Sequence, residues 1–292
     1  MPYTEIQERN GKKYYYRVQS IRKGKKVTKK RVYLGVNLEK NEIKNKEKKA
    51  DVELLFLSTL LSEEQVKNLD TIKKEKSKLS YEAFVSLFTY DSTNIEGNTF
   101  TLQETAQLLF EGISPRKPLR EINEIINHKE AFDYLLKIKS DITKKLILKF
   151  HEIVTKNTLK KEVEDQLGIY RTLQVYIRGV EWLPSKPEEV PSDMTKLLSW
   201  YTKNKDKIHP LILSAYFHIH FEMIHPFVDG NGRVGRLLMN FILHKNGFPM
   251  INIPHKQKYK YYETLEKAQV TGDFRPFMDF LYQLLIESQI KF

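Results

Sequence analysis

Apolar residues recur at three- and four-residue spacing through most of the chain from Asp51 onward. The repeat is clear in four stretches: Leu54, Leu55, Leu57 and Leu61; Phe84, Leu87 and Phe88; Ile122, Ile125, Ile126 and Phe132; and Leu146, Phe150 and Val154. This period brings apolar side chains onto one face of an α-helix. The pattern therefore predicts a mainly α protein whose core is a helical bundle.

One segment interrupts the helical pattern. Residues 173–177 follow Gly168-Ile169-Tyr170-Arg171 and lead into Gly179, Pro184, Pro187 and Pro191. Proline cannot donate a hydrogen bond to a neighbouring strand, so it stops strand pairing from propagating. A short strand or β-hairpin is therefore predicted over about 168–187, inserted between helices.

The N-terminal part of the chain has a different pattern. Residues 13–20 and 27–36 are rich in Tyr and Val and flank Arg-Lys-Gly-Lys-Lys, which predicts a β-hairpin. Residues 1–50 hold 16 Lys or Arg and five Glu, a balance of +11, whereas the rest of the chain has a balance of +1. We therefore predict a small basic accessory domain over 1–36 and a linker and helical segment over 37–80. A nucleic acid or another acidic partner is an open alternative for residues 1–50.

Composition narrows the class of protein. The chain has 292 residues, which allows one large domain or two smaller ones. It has no cysteine, which excludes disulfide frameworks, thiolate zinc sites, iron–sulfur clusters and cysteine nucleophiles. The sequence contains neither an apolar signal-peptide core at its start nor an apolar run long enough for a membrane span, so we expect a cytoplasmic protein.

The strongest candidate site is residues 225–236, with the sequence His-Pro-Phe-Val-Asp-Gly-Asn-Gly-Arg-Val-Gly-Arg. Pro226 disfavours helical geometry at His225, so His225 is predicted at or just beyond the end of one helix. The next helix is predicted to start near Gly232, because Val234, Leu237, Leu238, Phe241 and Ile242 form one buried stripe. The segment is therefore a loop between two apolar helices.

The residue types of this loop suit phosphate chemistry. Two glycines and the free N–H groups of a helix N-terminus surround Asn231, which is a construction that binds phosphate oxygens. Arg233 and Arg236 add fixed positive charge, and Asp229 offers carboxylate oxygens suited to Mg²⁺ beside substrate phosphates. His225 can accept a proton at neutral pH. Together they predict a phosphoryl- or nucleotidyl-transfer site.

Two other interpretations of the same residues are weaker. Residues 230–235 match G-x-G-x-x-G, but they follow a helix rather than a strand, which excludes the dinucleotide fold on context. His218, Glu222, His225 and Asp229 share helical spacing, as in some metal hydrolases. However, H-E-x-x-H is missing and Pro226 interrupts the helix that they would need.

The loop resembles the signature of the Fic/Doc family, H-P-F-x-D/E-G-N-G-R-x-x-R, at every position from His225 to Arg236. The resemblance extends over roughly residues 80–290 and implies a Fic region over 81–292. The implied fold is a Fic-type helical bundle with a β-hairpin flap. Members of the family mostly transfer AMP from ATP to a hydroxyl side chain of a target protein, and those that phosphorylate carry Lys where Gly232 stands.

The resemblance implies a role for each residue of the site. His225 would take the proton from a Ser, Thr or Tyr hydroxyl, and Asp229 would hold Mg²⁺ on the phosphates of ATP. The flap would align the target by strand addition. The residues expected at the nucleotide are Asp229, Gly230, Asn231, Gly232, Arg233, Val234, Gly235 and Arg236 of the loop, Ile177, Arg178, Gly179 and Val180 of the flap, and Tyr261, Tyr262 and Gln269 near the base.

A second segment resembles the inhibitory motif of class II members, S/T-x-x-x-E-G/N. It reads Ser92-Thr93-Asn94-Ile95-Glu96-Gly97-Asn98 and lies on a predicted inhibitory helix over about 81–98. The expectation is that Glu96 pairs with Arg236 and removes the partner of the γ-phosphate. In some relatives the equivalent glutamate orients water for removal of AMP, so both roles stay open for Glu96.

The sequence thus predicts an autoinhibited protein adenylyltransferase that uses Mg²⁺ and ATP and acts on a protein target. Two alternatives stay open. One is an enzyme that removes AMP with the help of Glu96, and the other is a nucleic-acid or partner-targeting module with a restrained catalytic core. Self-modification and a homodimer are further expectations.

Overall fold

The computed structural model describes residues 2–23, 26–58, 60–74, 80–177, 180 and 182–290. The chain divides into two compact units, Met1–Lys67 and Asn68–Phe292. Within the described part of the chain, none of the helices combines the length and apolar character that crossing a membrane requires.

The first unit is a three-stranded antiparallel sheet with a helix. Strands β1 (Tyr3–Arg9), β2 (Lys12–Lys23) and β3 (Lys26–Val36) lie in the order β1-β2-β3. Helix α1 (Lys40–Ser58) follows, and a small apolar cluster of Tyr15, Leu34 and Ala50 joins it to the sheet. The predicted hairpin is present as β2 and β3, and β1 is a strand that the sequence pattern did not predict.

Helices make up most of the remaining chain, which confirms the mainly α prediction. They are α2 (Glu63–Lys74), α3 (Tyr81–Ile95), α4 (Leu102–Ala106), α5 (Leu119–Lys137), α6 (Lys144–Thr155), α7 (Val190–Asn204), α8 (Pro210–Ile224), α9 (Asn231–Lys245), α10 (Lys258–Thr271) and α11 (Arg275–Ile290). Short turns of π-helix at Gln107–Glu111 and of 3₁₀-helix at Lys161–Gln166 and His255–Gln257 connect some of them.

Helices α8 and α9 form the centre of the second unit. Their apolar side chains, including Phe217 and Phe221 of α8 and Leu237 and Phe241 of α9, are buried. Each such side chain contributes about 1.5–3 kcal/mol when it is removed from water. Pro210 occupies the first turn of α8, where its missing N–H costs nothing, so the helix is well defined at its start. The loop between the two helices is therefore held at both ends by the core.

The structure differs from the fold prediction at the inserted hairpin. Residues 168–177 contain no strand, so the strand predicted at 173–177 is wrong for this structure. A two-stranded hairpin in water is marginally stable by itself. The prolines that follow remove the donors that a partner strand would need. Residues 171–177 are instead irregular, and the side chain of Arg171 bonds this part of the chain to the carbonyl oxygen of His225.

Candidate active site

His225 ends helix α8 in a conformation that few residues adopt. Its φ and ψ are 50° and 62°, in the left-handed region, and its N–H donates to the carbonyl oxygen of Phe221 at 2.9 Å. A non-glycine residue in this region costs about 1–3 kcal/mol, which the surrounding structure has to supply. The turn carries the chain from α8 into the loop, as Pro226 predicted.

Arg171 holds this turn in place. Its buried guanidinium donates from Nε to the carbonyl oxygen of His225 at 2.7 Å and from Nη1 to that of Leu173 at 2.9 Å, and Nη2 donates to the carbonyl oxygen of Ser185. Its backbone N–H also donates to the carbonyl oxygen of Pro226 at 2.9 Å. Arg171 therefore ties both ends of the predicted flap to the backbone of His225, a role that sequence reasoning missed.

The loop closes on itself through Asn231. The Asn231 side chain accepts from the N–H of Phe227 at 2.9 Å and donates to its carbonyl oxygen at 2.8 Å. Gly230 precedes α9 with φ of 80°, and a Cβ at this position would lie 2.6 Å from Cγ2 of Thr155. Both the conformation and the space therefore require glycine here. The first N–H groups of α9 have no helical partner, and at this position they are available to an anion.

Asp229 and Arg233 form a charged network at the start of α9. Nη2 of Arg233 lies 3.0 Å from Oδ1 of Asp229, and Nη1 lies 3.7 Å from Oε1 of Glu124. Nη2 of Arg120 lies 3.3 Å from Oδ2 of Asp229. Arg233 is buried, and its Nε and Nη1 atoms make no hydrogen bond. Unpaired guanidinium donors in a buried position are costly, so they favour an anionic ligand.

Arg236 joins the loop to helix α3. Its Nε and Nη2 donate to the hydroxyl and carbonyl oxygens of Ser92 at 3.0 and 2.8 Å, and Nη2 also donates to Oε1 of Glu96 at 2.8 Å. Burial disfavours the charged guanidinium, but Glu96 and the neighbouring tyrosines raise the pKa of Arg236 above its usual value. The predicted contact between Glu96 and Arg236 is therefore present in the structure.

Glu96 lies beside Gly232 at the start of α9. A Cβ at Gly232 would come within 2.1 Å of Oε1 of Glu96 and 2.9 Å of Nη1 of Arg236. That Nη1 atom is buried and makes no hydrogen bond. The carboxylate thus occupies space beside Gly232 next to an unsatisfied arginine donor. Its side chain is 35% exposed, so it can leave this position without disrupting the core.

Glu222 is a second carboxyl group beside the catalytic candidate, and sequence reasoning gave it no role in the predicted site. It is buried on α8, and its Oε2 lies 3.6 Å from Nδ1 of His225. Burial, reinforced by the charge of Glu96, raises the pKa of Glu222 to about 8 against the opposing effect of Arg236. Glu222 is therefore mostly protonated at neutral pH. A Cβ at Gly235 would lie 2.4 Å from its Oε1, so Gly235 makes room for this carboxyl group.

His225 itself is neutral at physiological pH. Burial lowers the pKa of His225 to about 4, although contacts with Glu222 and the charges of Glu96 and Asp229 act in the opposite direction. A neutral imidazole has a lone pair and can accept a proton from a hydroxyl group. The structure therefore places a neutral imidazole beside the loop that precedes α9.

Two predicted tyrosines lie near Arg236. Tyr261 is buried, and its hydroxyl group lies 2.7 Å from Nε2 of His218. Tyr262 donates to the carbonyl oxygen of Ile95 at 3.3 Å. Burial raises the pKa of both tyrosines above the usual range. The ring of Tyr261 also lies 6.0 Å from the guanidinium carbon of Arg236, which brings helix α10 to the site.

The other predicted contacts are less well placed. Val234 is fully buried in the apolar core, so only its backbone can face a ligand. Gln269 is half-buried on α10, and within the described part of the chain it makes no hydrogen bond to the other predicted residues. Ile177 and Val180 are half-buried in the irregular connection. Arg178 and Gly179 lie outside the described residues.

Asp229 is the residue on which a metal site would depend. Within the described part of the chain, no group of three or more His, Asp or Glu side chains could hold a metal ion. A single carboxylate nevertheless fits Mg²⁺, which is usually bound through one or two carboxylates together with substrate phosphates and water. Asp229 is partly exposed and borders the anion-binding loop, so it meets this requirement.

Comparisons with known proteins identify similar sequences and folds. Residues 141–243 match the sequence model of the Fic/DOC family. The chain is 36% identical over 198 residues to a protein from Nematostella vectensis named protein adenylyltransferase Fic. That match covers 66% of this chain and 45% of the relative, so the chain spans less than half the length of this curated relative.

Solved structures share the fold. One is the crystal structure of a Fic domain containing signaling protein from Bacteroides thetaiotaomicron. It superposes on this chain with a TM-score of 0.70 and 29% sequence identity, and the alignment covers 77% of this chain and 95% of that protein. Fic-1 from C. elegans has a TM-score of 0.69 and 27% identity, and covers 87% of this chain and 77% of that one. The helical architecture around the candidate site is therefore shared with both proteins.

Proposed function

Because the chain belongs to the Fic/DOC family, we propose that it transfers AMP from ATP to a hydroxyl group of a protein and that Glu96 restrains this activity. The observation that carries the proposal is the pairing of a neutral, half-buried His225 with a loop whose two buried arginines have unsatisfied donors. The name of the relative from Nematostella vectensis supports the same activity.

The reaction follows from the positions of these groups. The hydroxyl oxygen of the target attacks the α-phosphorus of ATP, its proton passes to His225, and the bond from the α-phosphorus to the oxygen that leads to the β-phosphorus breaks. Pyrophosphate leaves, and His225 returns its proton to solvent. Nδ1 of His225 faces Glu222, so Nε2 takes the proton. Fixed donors at the phosphates and a positioned base supply most of the rate enhancement in such a site.

The remaining residues bind and orient ATP. The backbone N–H groups at Gly230, Asn231 and Gly232 receive phosphate oxygens, and Arg233 and Arg236 neutralise the remaining charge. Asp229 would hold Mg²⁺, and the ion, when bound, would neutralise the charge that develops on the leaving pyrophosphate.

The nucleotide base and the protein target are placed by analogy with the family. Tyr261 and Tyr262 of α10 would border the base. The connection around Ile177 and Val180 would align the segment of the target that carries the Ser, Thr or Tyr hydroxyl. Self-modification of a released enzyme is expected by the same analogy.

Restraint by Glu96 follows from competition for Arg236. The carboxylate pairs with Nη2 of Arg236 and lies beside Gly232, where the terminal phosphates of ATP would approach. While Glu96 stays there, ATP loses a partner for its terminal phosphate and binds in a position unsuited to attack at the α-phosphorus.

Intact-mass spectrometry after incubation with Mg²⁺ and ATP tests the proposal. We expect an AMP-sized adduct on Glu96→Gly, little or none on wild type, and none on Glu96→Gly/His225→Ala. ATP labelled at the α-phosphorus should label the protein, whereas ATP labelled at the γ-phosphorus should not. Glu266→Gly, which removes an exposed glutamate from α10, is the matched control and should behave as wild type. Transfer of the γ-label, or equal labelling with and without His225, would contradict the proposal.

Removal of AMP from a modified protein is the second candidate function. Glu96 favours it because the carboxylate is partly exposed and lies beside the phosphate-binding loop, where it can orient a water molecule. Protein adenylylated by the Glu96→Gly variant is the substrate for this test. Wild type should release AMP from it, and Glu96→Gln should not. If wild type and Glu96→Gln both leave the adduct intact, removal of AMP is contradicted and AMP transfer is the remaining candidate function.

A further inference from the structure

The outer face of the N-terminal sheet is the side that α1 does not cover. The strand register places Tyr3 opposite Val18, Glu5 opposite Tyr16, and Tyr16 opposite Tyr33, so these side chains share one side, on which Val18 is buried and Tyr3 and Tyr33 are exposed. The polar and aromatic residues of this outer face are Tyr3, Glu5, Gln7 and Arg9 of β1, Lys12, Tyr14 and Tyr16 of β2, and Lys29, Arg31 and Tyr33 of β3.

Tyrosines form a contiguous group on the outer face. The ring centroid of Tyr33 lies 5.4 Å from that of Tyr16 and 6.5 Å from that of Tyr14. Tyr33 is 54% exposed and Tyr3 is 40% exposed. Nζ of Lys29 lies 5.8 Å from the centroid of the Tyr3 ring. Aromatic rings thus lie open to solvent beside a lysine.

The two faces of the sheet differ in how their charges are balanced. On the inner face, Arg17 donates to Asp51 at 2.6 Å and to Glu47 at 3.1 Å, so acidic residues of α1 neutralise it. On the outer face, Glu5 is the one acidic residue among the described side chains, and it lies 3.4 Å from Arg31. Among the described side chains, the cations of that face are Arg9, Lys12, Lys29 and Arg31. These described side chains therefore give the outer face a net positive charge.

We propose that the outer face binds single-stranded nucleic acid. Unpaired bases can stack on exposed tyrosine rings, and the flanking cations can contact the phosphates between them. In a duplex the bases stack on one another, so a flat aromatic face has no base surface to contact. Face-to-face pairing of two copies of this sheet would bring their cations together, which charge repulsion opposes. This function is separate from the proposed transfer of AMP and does not depend on it.

Fluorescence anisotropy of the full chain with a labelled 15-nucleotide oligo(dT) or oligo(U) tests the proposal. Tyr33→Ala should weaken binding by about 5- to 100-fold, because stacking on each base is lost. Tyr33→Phe keeps the ring and should bind as wild type, which separates stacking from misfolding. Arg31→Ala should reduce the slope of log affinity against log salt concentration by about 0.7.

Tyr259→Ala is the matched control, because Tyr259 is 77% exposed and lies beside Lys258 but belongs to α10. It should leave binding unchanged. A duplex of the same sequence and heparin distinguish stacking from plain charge attraction. Binding of either as tightly as the single strand, or binding of Tyr33→Ala as tightly as wild type, would overturn the proposal. Both results are independent of ATP and of His225.

Discussion

The substitution Glu222→Gln should stabilise the protein by an amount that grows with pH. Glu222 is buried on α8 beside Nδ1 of His225, and Gln has nearly the shape of the protonated carboxyl group. The groups whose charges act on Glu222 are Glu96, which disfavours its ionisation, and Arg236, which favours it. Burial exceeds both and raises the pKa of Glu222 from 4.5 to about 8.

The sign of the effect follows from proton binding. Below pH 4.5, Glu222 is protonated in both the folded and the unfolded chain, so its ionisation does not change the free energy of unfolding. Between pH 4.5 and about 8, the unfolded chain loses the proton and the folded chain keeps it, so unfolding becomes tenfold more favourable per pH unit. At pH 7 the difference between variant and wild type amounts to about 3 kcal/mol, and above pH 8 to about 4–5 kcal/mol.

Urea unfolding at pH 5, 6, 7 and 8 measures this difference. The free energy of unfolding of Glu222→Gln minus that of wild type should be small at pH 5 and rise at each step. The other titratable groups are the same in both proteins, so their contributions largely cancel in the difference. Glu266→Gln removes an exposed carboxylate of α10 and should give a difference that does not change with pH. A constant difference for Glu222→Gln would refute the reasoning, because it would mean that Glu222 is equally ionised in both states.

Three further substitutions test other parts of the structure. Gly230→Ala should lower the free energy of unfolding by about 1–3 kcal/mol, because residue 230 has a positive φ and the new Cβ would contact Thr155. Adding Thr155→Ser should restore part of the lost free energy. Unchanged urea midpoints would contradict this. Burial raises the pKa of Asp141, but hydrogen bonds from Lys205 and its neighbours outweigh burial and lower the pKa to about 2. The ionised carboxylate therefore stabilises wild type above pH 4, this stability is lost as the pH falls to about 2, and Asp141→Asn should lack it. Acid titration followed by circular dichroism checks this, and equal midpoints for the two proteins would contradict it. Arg171→Met should leave buried carbonyl oxygens unpaired, and we expect protease cleavage within 172–186 to become faster while cleavage elsewhere does not.

The helices and the loop were predictable because their signals are local. The spacing of Val234, Leu237 and Phe241 gave the buried face of α9, and Pro226 gave the end of α8. The backbone at position 230 has a positive φ, which favours glycine, so the glycine in the sequence indicates a turn at this position. Each of these features depends on residues within one or two turns of one another.

Other features depend on contacts that span the chain. Arg171 bonds to the carbonyl oxygen of His225, 54 residues away, and a buried arginine without an acidic partner leaves no pattern in sequence. The sequence suggested Glu222 only for the rejected metal-hydrolase interpretation, and its raised pKa depends on burial that only the packed core creates. Strand β1 has weak alternation of its own and exists through pairing with β2. The prediction of a strand at 173–177 was wrong for the converse reason: its pattern was local, and among the described residues no strand pairs with this segment.

The contact between Glu96 and Arg236 joins two parts of one chain. This connection determines how the contact responds to dilution and to competing anions. A carboxylate on a separate molecule would dissociate from Arg236 on dilution, but a tethered one keeps the same effective concentration. A free anion with the same intrinsic affinity for Arg236 must reach a concentration comparable to that effective concentration before it displaces Glu96 half of the time. Occupancy of Arg236 therefore depends on the anions in solution and is independent of how much of the protein is present.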